Sequence, residues 1–280
     1  MCSGFAPPKV AICFAGAART LQQPTVYRSI KTNLIDAFGG DTTIFAALKL
    51  EDERGDRRPE FGGLIATERD KVMHALHHLG LKRPEHAIVT EAAALPNSRL
   101  PVCGTPSYAQ SGRAHDLFDS LVGQLNNRHA CHDLISAEEE RSGSAFVYVI
   151  YTRPDLSWPL PLWPHCYWDL GRTQKKWDWV IFLTREDART NLEFVANELW
   201  TCSRLPFEEA WSPDGMQLPE FYMAEVFHGG EVDHYAGPVS AIPTRRNAPN
   251  MPSLCELPDS WYANHDLCAP ITYANQCTNL

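Results

Sequence analysis

No stretch of this sequence approaches the roughly 20 consecutive apolar residues that a membrane-spanning helix needs, so no span is expected. Basic charge is also scarce: 25 Lys and Arg stand against 34 Asp and Glu, a net charge of −9 over 280 residues. Neutralising a phosphate backbone takes concentrated Lys and Arg, so nucleic acid is not the expected partner. The nine cysteines include no Cys-x-x-Cys pair, which argues against a zinc ribbon or a thioredoxin-like redox motif. The spaced glycines of the dinucleotide fingerprint are missing, and so is the phosphate-binding P-loop. His74 and His78 stand four apart, but no acidic partner follows in the His-Glu-x-x-His manner, so His74, His77 and His78 read as a polar helix face.

The opening segment, MCSGFAPPKVAICFAG, lacks a basic leader and a long apolar region and is not read as a signal peptide. A soluble, cytoplasmic protein is the default. Cys255, Cys268 and Cys277 crowd a Pro-rich tail where a bridge would imply an oxidising, secretory-type compartment. Cys13, in a strand, and Cys131, on a helix, read as small buried residues.

What is present is an ordinary globular composition, 44% hydrophobic and 21% charged, long enough to bury a full core in a single α/β domain over 1–280. Residues 1–8 form a flexible start, and an irregular tail over 243–280 wraps the domain. Lys9 to Ala15 predicts a buried strand, followed by the small-residue turn Gly16-Ala17-Ala18-Arg19-Thr20 and a helix over 24–38 that closes at Gly39-Gly40. Thr42 to Leu48 is a second strand, Thr67 to Leu79 a helix, and His86 to Thr90 a third strand. A long polar stretch over 50–63 reads as a solvated insertion or a lid. Arg113 to about Arg141 is a long helix striped by Leu117, Leu121, Leu125 and Ile135. Glu138, Glu139 and Glu140 near its end oppose the helix dipole and are expected to be solvated.

Phe146 to Tyr151 is the most strand-like run in the chain, all β-branched or aromatic, as in a strand covered on both faces. Pro154 has no N–H for a ladder, so pairing should end there and leave Arg153 and Asp155 at the carboxyl end of the strand. Spacing alone fits a plain Pro-Asp turn equally well. Trp158 to Trp168 is rich in Pro and aromatics and could wall a pocket or pack on the core. Asp178 to Leu183 is a further strand, and Thr184 with Asp187 fits a capping box, preferred over metal binding by Glu186 or Asp187. Leu218 to His228 is a helix carrying Glu220, and Asp233 to Ile242 a last short strand.

Strands alternating with helices predict a mainly parallel central sheet with helices on both faces, a Rossmann-like α/β layout. Gly16 to Thr20 and Arg153 to Asp155 then share the carboxyl edge, where ligands of such sheets bind. Two guanidiniums, a carboxylate, a hydroxyl and backbone amides suit a diphosphate, and a carboxylate can hold a bridging divalent ion.

The segments CFAGAART, then Gln124 and Cys131 on the long helix, YVIYTRPDL, and LPEFYMAEVF resemble, over roughly the first 240 residues, an uncharacterised glycosyltransferase-like family found in algae, protists, bacteria and large viruses. The resemblance implies a GT-A-like fold and transfer of a sugar from a nucleotide-diphospho-sugar to a carbohydrate or protein acceptor. It places Gly16, Arg19 and Thr20 at the nucleotide or its phosphates, with Arg153 beside them. Asp155 would approach Mn²⁺ or Mg²⁺ or the sugar, and Glu220 would face the acceptor. In that family the Arg-Pro-Asp strand takes the place of the acidic metal-binding motif of GT-A transferases, and no Asp-x-Asp is present here, because Arg153 stands two before Asp155. In an inverting reaction Glu220 or Asp187 would deprotonate the acceptor hydroxyl. A catalytically silent nucleotide- or carbohydrate-binding domain on the same scaffold is the alternative.

Overall fold

The computed structural model describes residues 6–50, 67–91, 95–105, 112–176, 180–203 and 242–243. Its centre is β1 (Lys9–Ala17), a nine-residue strand whose run from Val10 to Ala15 is almost completely buried. Side chains alternate across a strand, and here both faces are apolar. Val10, Ile12 and Phe14 enter one core layer, and Ala11, Cys13 and Ala15 enter the other.

β2 (Asp41–Lys49) and β3 (Ala87–Thr90) add in parallel on one side of β1, and β4 (Tyr148–Thr152) adds in parallel on the other. Beyond β4 the direction reverses. β7 (Val180–Thr184) runs antiparallel to β4, and β6 (Gln174–Lys176) antiparallel to β7, giving the order β3-β2-β1-β4-β7-β6. The predicted mainly parallel sheet is therefore a mixed one, with four parallel strands and a two-strand antiparallel edge. A small separate pair joins β5 (Leu156–Ser157) to β8 (Ile242–Pro243).

Helices cover both faces. On the first lie α1 (Pro24–Ser29), which widens into a π-helical stretch over Ile30–Asp36, and α2 (Arg69–Leu79). Ile30, Leu34, Phe38, Leu76 and Leu79 meet Ile12, Ile44 and Ile150 there. Gly80, at φ +103°, ends α2: its N–H reaches the His77 carbonyl, while the Leu81 N–H reaches that of Leu76. That double bond pattern satisfies carbonyls the helix cannot use itself. On the second face lie α3 (Gly112–Ser142) and, after α4 (Arg185–Arg189) and a π turn over Thr190–Phe194, α5 (Val195–Trp200). Leu121, Leu125, Ile135, Leu199 and Trp200 pack there on Phe45, Val149 and Ile181.

Two cysteine pairs between described residues stand at bonding distance. Cys13 of β1 and Cys131 of α3 are joined, both fully buried, so they are bonded to each other rather than being isolated small fillers. Cys103 and Cys202 join the 95–105 segment to the end of α5. Asn126 holds the same segment through both main-chain groups of Arg99, and the Arg99 guanidinium lies 4.9 Å over the Trp200 ring. The cysteines at 255, 268 and 277, the expected helix over 218–228 and all but the first residue of the polar stretch over 50–63 lie outside the described residues.

The acidic end of α3 is not solvated as its composition suggests. Glu138 binds His86 at 3.1 Å and Arg141 through both carboxylate oxygens, and Glu139 binds Arg185 and the Phe146 N–H. Only Glu140 of the three is exposed. These bonds fasten the helix end to β3, β4 and α4, which outweighs the unfavourable dipole position. The histidines of α2 form a polar face packed on Tyr27, whose ring meets His78 at 4.9 Å and His74 at 6.0 Å.

Candidate functional site

Residues β1, β2 and β3 step outward in one direction, and the chain then crosses back to place β4 on the other side of β1. β1 and β4 are adjacent strands whose carboxyl ends share one edge, at the point where the strand order reverses, and such a place is where open α/β sheets bind ligands. Both motifs singled out in the sequence lie there.

After β1 the chain turns through Gly16, at φ +124°, and Arg19, at φ +37°. A non-glycine residue at positive φ is strained and is retained where the surroundings fix it. Arg19 opens a single 3₁₀ turn over Arg19–Gln22, in which Thr20 is buried. After β4, pairing stops at Thr152, and Pro154 leads into Asp155.

Arg19, Arg153 and Asp155 converge. Arg153 donates Nε–H to Asp155 Oδ1 at 2.9 Å and Nη2–H to Oδ2 at 2.8 Å, the two-pronged geometry that a guanidinium offers a carboxylate. Arg19 donates Nη1–H to Oδ2 at 2.6 Å. The Asp155 side chain is 1% exposed, while those of Arg19 and Arg153 are 25% and 24% exposed. The carboxylate is the buried anchor, and the cationic heads reach the surface. Burial alone would raise the Asp155 pKa, but the two guanidiniums outweigh it and hold the carboxyl well below its ordinary range. Asp155 is ionised at any physiological pH.

A Cβ placed on Gly16 would lie 3.8 Å from both Asn127 Nδ2 and Pro154 Cδ, so these two side chains border the turn. Four residues earlier on α3, Gly123 leaves space that Lys49 uses: a Cβ there would be 3.9 Å from Lys49 Nζ. Lys49 ends β2 beside Ala17 of β1, and the Ala18 N–H bonds its carbonyl. Next to Asn127, the buried Arg128 guanidinium lies 5.1 Å over the Tyr151 ring. Lys49, Gly123 and Asn127 were not singled out by sequence reading. The signal was there in part, since Gly123 and Asn127 are one helical turn apart beside Gln124.

Asp187 does not join them. β7 is antiparallel, with Thr184 opposite Tyr148 at the start of β4 and Val180 opposite Thr152 at its end. The helix following β7 therefore begins at the amino edge, about 13 Å or more along the strand from Asp155 at 3.3 Å per residue. Asp187 is occupied as a cap: its N–H donates to Thr184 Oγ1 at 3.1 Å, and its carboxylate accepts from the Thr184 and Thr173 hydroxyls. The expected capping role is what the contacts show.

The Trp- and Pro-rich segment after Asp155 is likewise not a wall of this crevice. It runs over α1, with Trp158 buried, the Leu162 N–H bonded to the Asn33 carbonyl and His165 Nδ1 on the Phe38 carbonyl. Phe38 precedes β2, so this segment ends at the amino edge, where Trp168 stacks on Phe182 at 4.6 Å. Glu220 lies outside the described residues. Among the described residues no group of three or more His, Cys, Asp or Glu side chains is arranged to hold a metal ion, and no helix is long and apolar enough to cross a membrane.

Fold and site together define a mixed, mostly parallel α/β protein with two arginines anchored on a buried carboxylate at the carboxyl edge between β1 and β4. No family model, curated protein or solved structure matches the chain.

Proposed function

We propose that this chain binds a nucleotide-diphospho-sugar at the crevice between the carboxyl ends of β1 and β4, on a GT-A-like variant of the doubly covered sheet. The observation that carries the reading is the Arg19–Asp155–Arg153 cluster at the switch point. Guanidiniums held rigid by a buried carboxylate are pre-organised donors for phosphate oxygens, so little ordering cost remains when an anion arrives. Gly16 lets the main chain approach a ligand closely, and Asn127 adds a neutral donor beside it.

Transfer of the sugar to an acceptor hydroxyl is a second reading, favoured by the same placement of cations. Negative charge grows on the departing diphosphate, and fixed donors aimed at it lower that barrier. Glu220 is then the candidate base, since Asp187 is a helix cap at the other edge. A binding domain without catalysis needs no such base. The disulfides Cys13–Cys131 and Cys103–Cys202 support folding in an oxidising compartment.

Calorimetric titration with UDP-, GDP- and CMP-sugars tests the reading, paired with an assay for nucleotide release in the presence of mixed sugar acceptors. One donor that binds the native protein and binds about tenfold or more weakly to Arg19→Gln supports the donor site. Release that depends on acceptor and is abolished in Glu220→Gln, with donor affinity kept, selects the transferase. No heat with any donor from cooperatively melting protein overturns the assignment.

A further inference from the structure

The resemblance implies a divalent cation on Asp155, and the residues present do not fit one. Both carboxylate oxygens already accept guanidinium N–H bonds, Oδ1 one and Oδ2 two, at 2.6 to 2.9 Å. The carboxylate is almost wholly buried beneath these cations. A dication coordinated to either oxygen would lie against two guanidiniums, and a hard cation wants several oxygen ligands that the described residues do not gather there.

The triad's own groups point the same way, since two guanidiniums share a single carboxylate and both reach the surface while it stays buried. The arrangement is also geometrically committed: Arg153 is fixed by two parallel bonds, and Arg19 by its backbone turn at positive φ and its bond to the same carboxylate.

We infer that the Arg19–Asp155–Arg153 triad stands in for the divalent cation, so that the crevice holds the diphosphate of its nucleotide ligand without metal. This inference rests on the nucleotide reading above. Asp155 is then a positioning residue that orients two phosphate-binding arginines and touches no ligand itself.

The experiment is titration of the native protein with UDP, GDP and ADP, once in EDTA and once in excess Mn²⁺, with Arg19→Gln and Arg153→Gln alongside. The expected result is one diphosphate whose Kd agrees within about twofold between the two conditions and rises about tenfold or more in each arginine variant. Its affinity should also fall with salt. Binding that appears only with Mn²⁺ overturns the inference and leaves the nucleotide reading standing. Binding in EDTA that is unchanged in both variants overturns the role given to these arginines. No binding in either condition overturns both. The EDTA and Mn²⁺ comparison uses native protein alone, so a poorly folding variant does not blunt it.

Discussion

Arg19 and Asp155 are 136 residues apart in sequence, yet Nη1 of one lies 2.6 Å from Oδ2 of the other. The bond ties the loop after β1 to the loop after β4 across the switch point. It connects the two central strands of the sheet at the position where a ligand would part them.

Breaking this anchor should cost stability as well as binding. Asp155→Asn leaves two guanidiniums facing each other without their carboxylate. Losing one partner of a buried ion pair costs about 3–5 kcal/mol, and the partial exposure of the arginines places the expected loss at the lower end. Urea denaturation followed by circular dichroism checks it. A change below about 0.5 kcal/mol would show that the triad is not a structural anchor.

Acid should unfold the protein late. Glu138 is held down to about 2, first by its bonds to Arg141 and then, against the effect of burial, by His86. Asp155 lies lower than its ordinary value for the reasons given above. A carboxylate with a depressed folded pKa contributes stability above its unfolded pKa of about 4 and loses it as pH falls through the folded value. Stability should therefore be insensitive to these two groups above about pH 5 and fall steeply below about pH 4. Melting temperature against pH reads this, and Glu138→Gln should flatten part of the decline.

The Cys13–Cys131 and Cys103–Cys202 disulfides should differ in accessibility. Cys13 and Cys131 are fully buried, whereas Cys103 is exposed. Graded dithiothreitol on folded protein, followed by thiol trapping and peptide mass mapping, should open Cys103–Cys202 first. Cys13–Cys131 should react only when denaturant is added. Cys13→Ala with Cys131→Ala should destabilise by about 4 kcal/mol, because the bridge closes a loop of 118 residues. Equal reactivity of both pairs in native buffer would contradict the placement.

Gly16→Ala tests the turn itself. The φ of +124° is one that L side chains rarely adopt, although a methyl group would meet Asn127 and Pro154 only at ordinary contact distance. The cost should therefore be backbone strain of about 1–3 kcal/mol, with anion affinity reduced as Arg19 shifts.

The elements were legible because their signals are local. The apolar run of β1, the helical stripe of α3, the glycine end of α2 and the Thr184 cap are each written within a dozen residues. The strand-ending effect of Pro154 is local as well, since it follows from a missing N–H. Placement of Gly16, Arg19, Arg153 and Asp155 at one sheet edge needed only parallel β1 and β4, which the intervening helices imply. The site's walls were less legible. Asn127 comes from a different element, and nothing near it in sequence marks it as bordering Gly16.

Tertiary structure alone decided the rest. The direction of β7 sends Asp187 to the far edge, and an apolar run reads the same in a parallel or an antiparallel strand. Pairing of Cys13 with Cys131, and of Glu139 with Arg185, depends on how α3 lies across the sheet. So does the state of Asp155. Its sequence neighbours determined a carboxylate at a strand end, and only the fold brought Arg19 from the neighbouring strand's loop to close over it. Local chemistry sets which groups reach the edge; the packing of distant segments sets which of them meet and what charge the crevice carries.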